Sequence, residues 1–240
     1  MLVVRPPDYF PPAAHAALLA WAGRVVVADT FAFSRQGTHN RARILTAQGP
    51  QWVTVPRQHA PVGTALARVG VVDDGWARRH LRALRSAYGM APFVDWVLDD
   101  VGALLAGPHA SLGALAAATT EWALRRLGGT ADVVRASALP DAPATLSRVW
   151  EGAGRPPVLT LPDVAARDRA ALEPLGATVE VLAFEEPVRR QVWPGPVRAR
   201  PAGSPGSPTL PDGFAPGLSV LDVLMTYGPE ARRALLGPDL

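Results

Sequence analysis

Histidine is the side chain best suited to move a proton near neutral pH, and one histidine of this chain has an informative spacing. Four residues recur at intervals of four: Trp76, His80, Leu84 and Tyr88. This interval places them on one side of a helix that we predict over residues 73–88, and that side is apolar apart from His80. If it lines a cleft, His80 is the best candidate for a catalytic general base. If it faces the core, His80 is a buried histidine that one hydrogen bond satisfies.

A second group of candidates follows the first two predicted strands. Tyr9 and His15 come after an apolar strand at 2–4, and Asp29 ends a β-branched strand at 24–29. Open parallel sheets bind ligands at the carboxyl ends of their strands, so we expect Tyr9, His15 and Asp29 to bind substrate. His15 has two interpretations. It either contacts a phosphate at the start of a helix or is a lone polar residue there.

The pair Asn40 and Arg41 is the third candidate. In an alternating segment, Arg41 and Arg43 share one face, and the planar guanidinium of arginine suits a phosphate or a carboxylate. We therefore expect Arg41 to bind an anionic group and Asn40 to orient the ligand. The alternative is a solvated strand face that an ion pair holds together.

Composition excludes several kinds of chemistry. All 24 basic residues of the Lys and Arg total are arginine, and cysteine is absent. Schiff-base catalysis by lysine, lysine-dependent phosphate loops, thiolate nucleophiles and cysteine-based metal sites are therefore excluded. The formal net charge is only +3, so the pI of about 10.1 reflects the high pKa of arginine and does not indicate nucleic-acid binding.

Other features predict absences. The arginines of the helix at 73–88 form a row without interleaved aromatic residues, which is typical of a solvated face. Asp95 and Asp99 lie one helical turn apart without a histidine, so we predict no metal site and leave the cofactor open. A charged leader and a run of about 18 apolar residues are both lacking, which predicts a cytoplasmic protein without a membrane span. The expected partner is a small anionic molecule.

The order of elements predicts how these residues are positioned. The first thirty residues have the pattern of a βαβ unit, and strand and helix patterns alternate again over 131–184. Further strands are predicted at 52–55 and 67–72, and helices fill the middle of the chain. We predict a single α/β domain over 1–240 with a Rossmann-like layered sheet, helices on both faces and an extra helical segment. Residues 194–213, rich in Pro, Gly and Ser, are predicted to be a flexible insertion.

Several blocks, in order along nearly the whole chain, resemble the WbqC-like protein family. The blocks are Pro6-Pro7-Asp8-Tyr9-Phe10-Pro11, Ala28-Asp29-Thr30-Phe31, Asn40-Arg41-Ala42-Arg43-Ile44, Trp52-Val53-Thr54-Val55-Pro56, the series from Trp76 through His80 and Tyr88 to Phe93, and Phe214 to Asp222. The chain departs from the family pattern at Pro6, where the family has glutamine, and at Arg189, where it has tyrosine.

The resemblance implies a role rather than a reaction. This bacterial family is associated with O-antigen and other surface-polysaccharide gene clusters, which implies an enzyme that modifies a nucleotide-linked sugar or a similar phosphate-bearing metabolite. Group transfer is the favoured reaction, which would make the protein a transferase. The alternative is a non-catalytic binding or assembly protein of the same pathway. The two differ in whether Tyr9, Asn40, Arg41 and His80 converge on one concave pocket.

Overall fold

The computed structural model of this protein describes residues 1–192 and 214–237. Its strands are β1 (Leu2–Arg5), β2 (Arg24–Val27), β3 (Arg41–Thr46), β4 (Gly49–Thr54), β5 (Asp132–Arg135), β6 (Val158–Thr160) and β7 (Val179–Val181). Its helices are α1 (Ala13–Trp21), α2 (Trp76–Tyr88), α3 (Val94–Ala106), α4 (Leu112–Arg126), α5 (Leu146–Gly152), α6 (Pro162–Leu172), α7 (Val220–Tyr227) and α8 (Ala231–Leu236). The predicted insertion at 194–213 lies outside the described residues.

Five strands form one parallel sheet in the order β5-β2-β1-β6-β7. The chain builds the sheet outward from β1 through β2 to β5, and then crosses to the other side of β1 to add β6 and β7. The prediction of a Rossmann-like layered α/β fold is confirmed. Connections therefore leave β1 and β6 in opposite directions, and the crevice at the carboxyl ends of these two strands is where such sheets bind ligands.

The alternation of apolar side chains along β1 explains why both faces of the sheet are covered. Leu2 and Val4 pack in one cluster with Trp150 of α5, whereas Val3 packs in another with Leu18 of α1. Side chains of a strand alternate between the two faces, so a run of three apolar residues buries both of them. Arg5 lies two residues after Val3 and therefore points to the same face of the sheet, where its side chain reaches His15 of α1.

The middle of the chain adds a helical layer, as the sequence predicts. Helices α2, α3, α4 and α7 enclose the largest apolar cluster together with the antiparallel hairpin β3–β4. The predicted strand at 67–72 is wrong, because residues Leu66–Arg68 form a 3-10 turn. This turn packs against Gly113 of α4 so closely that an added Cβ would lie within 3.0 Å of the backbone of Leu66 and Ala67. The packing of the turn on α4 thus overrides its apolar pattern.

Candidate functional site

A chain of three polar side chains lies at the carboxyl end of β1. The Nδ1 of His15 is 2.7 Å from Oδ2 of Asp8, and the guanidinium of Arg5 is 2.8 Å from Nε2 of the same ring. A carboxylate only accepts hydrogen bonds, so Nδ1 carries the proton and Nε2 accepts from Arg5. Thr38 donates its hydroxyl proton to the other carboxylate oxygen of Asp8. The buried carboxylate thus orients an imidazole that remains partly exposed to solvent.

Residues 6–12, which connect β1 to α1, form the first turn, and two threonines of α4 hold its backbone. The amide of Asp8 donates to the Oγ1 of Thr120 at 3.0 Å, and both threonine hydroxyls donate to the Asp8 carbonyl at 2.8 and 2.9 Å. The amide of Phe10 donates to Thr119 at 3.2 Å. Phe10 itself has a φ of 49°, which is uncommon for a bulky residue. Strained backbone of this kind persists only where the surroundings determine it, and it concentrates at functional sites.

The ionisation of Asp8 follows from its neighbours. Burial alone raises the pKa of the carboxyl, but it is outweighed by the charge that His15 carries when it is protonated, by the hydrogen bond of His15, by the charge of Arg5 and by the hydrogen bond of Thr38. The pKa therefore lies well below its usual range, and Asp8 is ionised at neutral pH. A carboxylate that holds one nitrogen of an imidazole fixes its tautomer and leaves the other nitrogen for a ligand or a proton.

Tyr9 and His80 form a second, separate pair. The Tyr9 hydroxyl donates to Nδ1 of His80 at 2.9 Å, and Nε2 of His80 donates to the Thr54 carbonyl at 3.2 Å. Burial, opposed by the bond to Thr54, lowers the pKa of His80 to about 4, so the ring is neutral at pH 7. Both residues are buried, and both ring nitrogens of His80 are engaged. The structure thus brings Tyr9 and His80 together inside the core; that His80 moves a proton stays a prediction.

Asn40 and Arg41 begin the hairpin on the other side of the first turn. Asn40 donates its amide to the Val55 carbonyl at 2.9 Å. Arg41 donates to the carbonyls of Gly37 and Gln36 at 3.2 and 2.8 Å, and its guanidinium lies 4.6 Å from the centre of the Trp52 ring. Both side chains therefore have protein partners, but these partners are neutral.

The loop at 36–40 joins these two regions. The backbone amide of Tyr9 donates to the carbonyl of Thr38 at 2.9 Å. Nδ1 of His39 bonds to the Pro7 carbonyl, also at 2.9 Å. The neighbouring carbonyls of the same loop accept from Arg41. The residues that the sequence singled out at the first turn and at Arg41 are therefore connected through a single loop.

Asp29 lies at the carboxyl end of β2, as the sequence predicts, but its oxygens are occupied. The amide and the hydroxyl of Ser137 donate to the two carboxylate oxygens at 2.9 and 2.6 Å. This pairing ties the end of β2 to the turn that follows β5. Asp29 thus has no contact with the chain of Arg5, His15 and Asp8 among the described hydrogen bonds.

Sequence reasoning missed most of the polar partners of the first turn. The missed residues are Arg5, Asp8, Thr38, Thr119 and Thr120. Arg5 and Asp8 carried a usable signal, because they end the first strand and begin the block at 6–11. Thr119 and Thr120 carried none, since they lie more than a hundred residues from the turn, and Thr38, at a separation of 30 residues, carried none either.

The cleft between α3 and α4 is lined by residues outside the first turn. A cleft of about 500 Å³ between α3 and α4 is lined by Asp100, Trp122 and their neighbours, and by none of the residues that the sequence singled out. Over residues 1–192 and 214–237, no three His, Asp or Glu side chains are grouped as metal ligands would be. Among the helices in these ranges, none has the length and apolar character needed to cross a membrane.

Comparison with known proteins identifies the family. A family model described as the WbqC-like protein family matches residues 6–153. An uncharacterized protein of Mycobacterium tuberculosis, Rv1507c, is 32% identical over 95 residues, which are 38% of this chain and 41% of that protein. The matched part therefore spans less than half of this relative, and no solved structure matches the chain. Because the family match covers well over half of its residues, and includes both the first turn and the hairpin, this chain belongs to the WbqC-like protein family.

Proposed function

We propose that this protein binds and modifies an activated, phosphate-bearing metabolite at the carboxyl end of β1. The observation that carries the proposal is the hydrogen-bonded series of Arg5, His15 and Asp8, which lies at the carboxyl end of the central strand β1, next to β6. A guanidinium next to an oriented imidazole offers both a positive charge for a phosphate and a group that accepts a proton.

The favoured ligand is a nucleotide-linked sugar, and the favoured reaction is group transfer. A transfer onto a hydroxyl or an amine needs a base that takes the proton of the nucleophile. Once Arg5 turns to the phosphate, Nε2 of His15 is free to accept that proton, and Asp8 stabilises the imidazolium that forms. As the nucleophile attacks, the bond between the transferred group and the phosphate breaks, and the phosphate leaves as an anion that Arg5 holds. The resemblance to proteins associated with surface-polysaccharide gene clusters supports this substrate class and pathway.

The residues predicted from the sequence divide into two roles in this proposal. His15 and Arg41 contact the anionic ligand, since Arg41 reaches the same loop that holds Asp8. Tyr9, Asn40 and His80 support the turn and the hairpin, because their polar atoms are hydrogen-bonded within the protein.

A second candidate function is non-catalytic binding or assembly within the same pathway. The buried Tyr9 and His80 pair favours it, because the family blocks at 6–11 and 52–56 meet there as packing rather than as an open pocket. A pure binding protein would retain affinity for the phosphate compound and show no turnover of it.

We expect Arg5→Gln to remove the stabilisation of the protein by a phosphate-bearing ligand. A thermal-shift panel of nucleotide sugars, nucleotides and acyl donors finds the ligand, which at 100 times its dissociation constant stabilises the wild type by about 2.7 kcal/mol. The matched control is Arg24→Gln, at the amino end of the neighbouring strand, where Arg24 pairs with the exposed Asp132. The control should respond as the wild type does. The proposal is contradicted if the wild type, Arg5→Gln and Arg24→Gln are stabilised equally by the ligand. It is also contradicted if no compound stabilises any of the three.

A further inference from the structure

The positive charge of this protein is concentrated in one segment. Between Thr30 and Val72 the chain contains no aspartate or glutamate, while it contains five arginines: Arg35, Arg41, Arg43, Arg57 and Arg68. The whole chain has a formal net charge of only +3. In the parts of the chain that the structure describes, none of the five pairs with a carboxylate. This segment therefore has an uncompensated positive charge, which favours an anionic partner.

The outer face of the β3–β4 hairpin combines this charge with an aromatic ring. Arg43 is directly opposite Trp52, and Arg41 is opposite Thr54, so these side chains project from one face. Ala42 is buried on the other face. Trp52 is 48% exposed although the Arg41 guanidinium lies over its ring. We call Arg41, Arg43 and Trp52 the hairpin face.

Backbone carbonyls hold the two arginines of the hairpin face. Two loop carbonyls fix the guanidinium of Arg41, and Arg43 donates to the Pro216 carbonyl at 3.4 Å. Gly217 lies beside the guanidinium of Arg43, and the carboxylate of Glu186, which accepts from the Gly217 amide, also accepts from Arg189. The charge of Arg43 is therefore available to a ligand.

We infer that the hairpin face binds the ring-bearing part of a small phosphate compound, with the ring on Trp52 and the anionic group on Arg43. Indole rings stack on nucleobases and on the C–H faces of sugars, and guanidinium groups bind phosphate. The face offers a single exposed aromatic ring, whereas single-stranded nucleic acid is bound by successive rings along a groove. A small molecule therefore fits better than a strand.

This inference rests on the proposed function for the phosphate of the ligand and shares Arg41 with it, but Arg43 and Trp52 have no part in the proposed function. The loop at 36–40 contacts Asp8 through Thr38 and Arg41 through Gln36 and Gly37. A ligand with two anionic groups, such as uridine diphosphate, would place one on Arg43 beside its ring and direct the other toward Arg5. The hairpin face would then decide which ring-bearing compound is accepted.

Titration calorimetry with uridine diphosphate, glucose 1-phosphate and pyrophosphate tests the inference. We expect Trp52→Ala to weaken at least one of the two ring compounds about tenfold, because stacking on an aromatic side chain is worth about that much. Pyrophosphate, which has no ring, should change less than about twofold. Trp52→Phe should restore most of the affinity. The matched control is Trp21→Ala at the end of α1, where the indole is 44% exposed, and it should bind as the wild type does.

The two proposals fail in different ways. If Trp52→Ala binds both ring compounds with the same affinity as Trp21→Ala, the hairpin inference is wrong. The proposed function then still stands as long as Arg5→Gln loses binding. If the wild type binds a single-stranded oligonucleotide through Trp52 but neither ring compound, the face binds nucleic acid and the inference is overturned. If the wild type binds none of the three phosphate compounds, both proposals fail.

Discussion

Asp8→Asn is expected to lower the free energy of unfolding by about 3 kcal/mol at pH 7, because it weakens the charge-assisted hydrogen bonds that the buried carboxylate accepts from His15 and Thr38. Asp8 is buried beneath His15, Arg5 and Thr38. The amide of asparagine can also donate to Nδ1 of His15, which would place the proton on Nε2 and point it at the donors of Arg5. We therefore expect the variant to lose its response to ligand as well. Urea denaturation and the thermal-shift panel measure the two effects.

Asp132→Asn is the matched control for this prediction. Asp132 also pairs with an arginine, but its side chain is 71% exposed, so we expect a change of less than about 1 kcal/mol and a normal ligand response. Because the pKa of Asp8 is lowered, its contribution to stability is present above pH 3.8 and is lost as the pH falls below that value. Equal destabilisation of the two variants at pH 7 would show that the buried network adds nothing.

The second large effect is an acid-induced loss of stability that depends on His80. Its pKa falls from 6.5 in the unfolded chain to about 4 in the folded protein, so unfolding takes up a proton between these values. The contribution is complete above pH 6.5 and is lost as the pH falls through about 4. We expect a loss of about 2 to 3 kcal/mol from this residue. Denaturation curves at a series of pH values from 7.5 to 4 measure it.

His80→Gln isolates this contribution because glutamine does not titrate, yet can accept from Tyr9 and donate to Thr54. A comparison at each pH is needed, since burial raises the pKa of Asp222 to about 6 and makes that residue act in the opposite direction. The difference between wild type and variant should shrink as the pH falls from 6.5 toward 4. A difference that stays constant over this range would mean that His80 is already solvated in the folded state.

Local patterns predict much of the fold because they depend on neighbouring residues. The apolar runs of β1 and β2, with α1 between them, identify the first unit, and the interval of four around His80 identifies the buried side of α2. The alternation around Arg41 and Arg43 likewise predicts their shared face. The order of the strands depends on pairings between distant segments, such as Leu2 with Val158, which no local pattern encodes.

The site is harder to predict than the fold, for the same reason. His15 and Asp8 are seven residues apart, but the role of Asp8 depends on Thr38 and on threonines of α4 that are more than a hundred residues away. The partner of His80 is Tyr9, separated by 71 residues, so periodicity placed His80 on an apolar side of the helix without showing whether that side lines a cleft or faces the core. Residue types therefore indicate candidate site residues, whereas long-range hydrogen bonds determine which of these side chains remain available to a ligand.

The imidazole ¹H–¹⁵N spectrum of His15, recorded with and without uridine diphosphate glucose, tests the central claim most directly. We expect the ring resonances of His15, assigned with a His15→Gln variant, to shift as the ligand draws Arg5 away from Nε2. The ring of His109, whose Nε2 bonds to the Leu104 carbonyl at the end of α3, should not respond. Saturation with the bound nucleotide sugar that leaves the His15 resonances unmoved would contradict a ligand site at the end of β1.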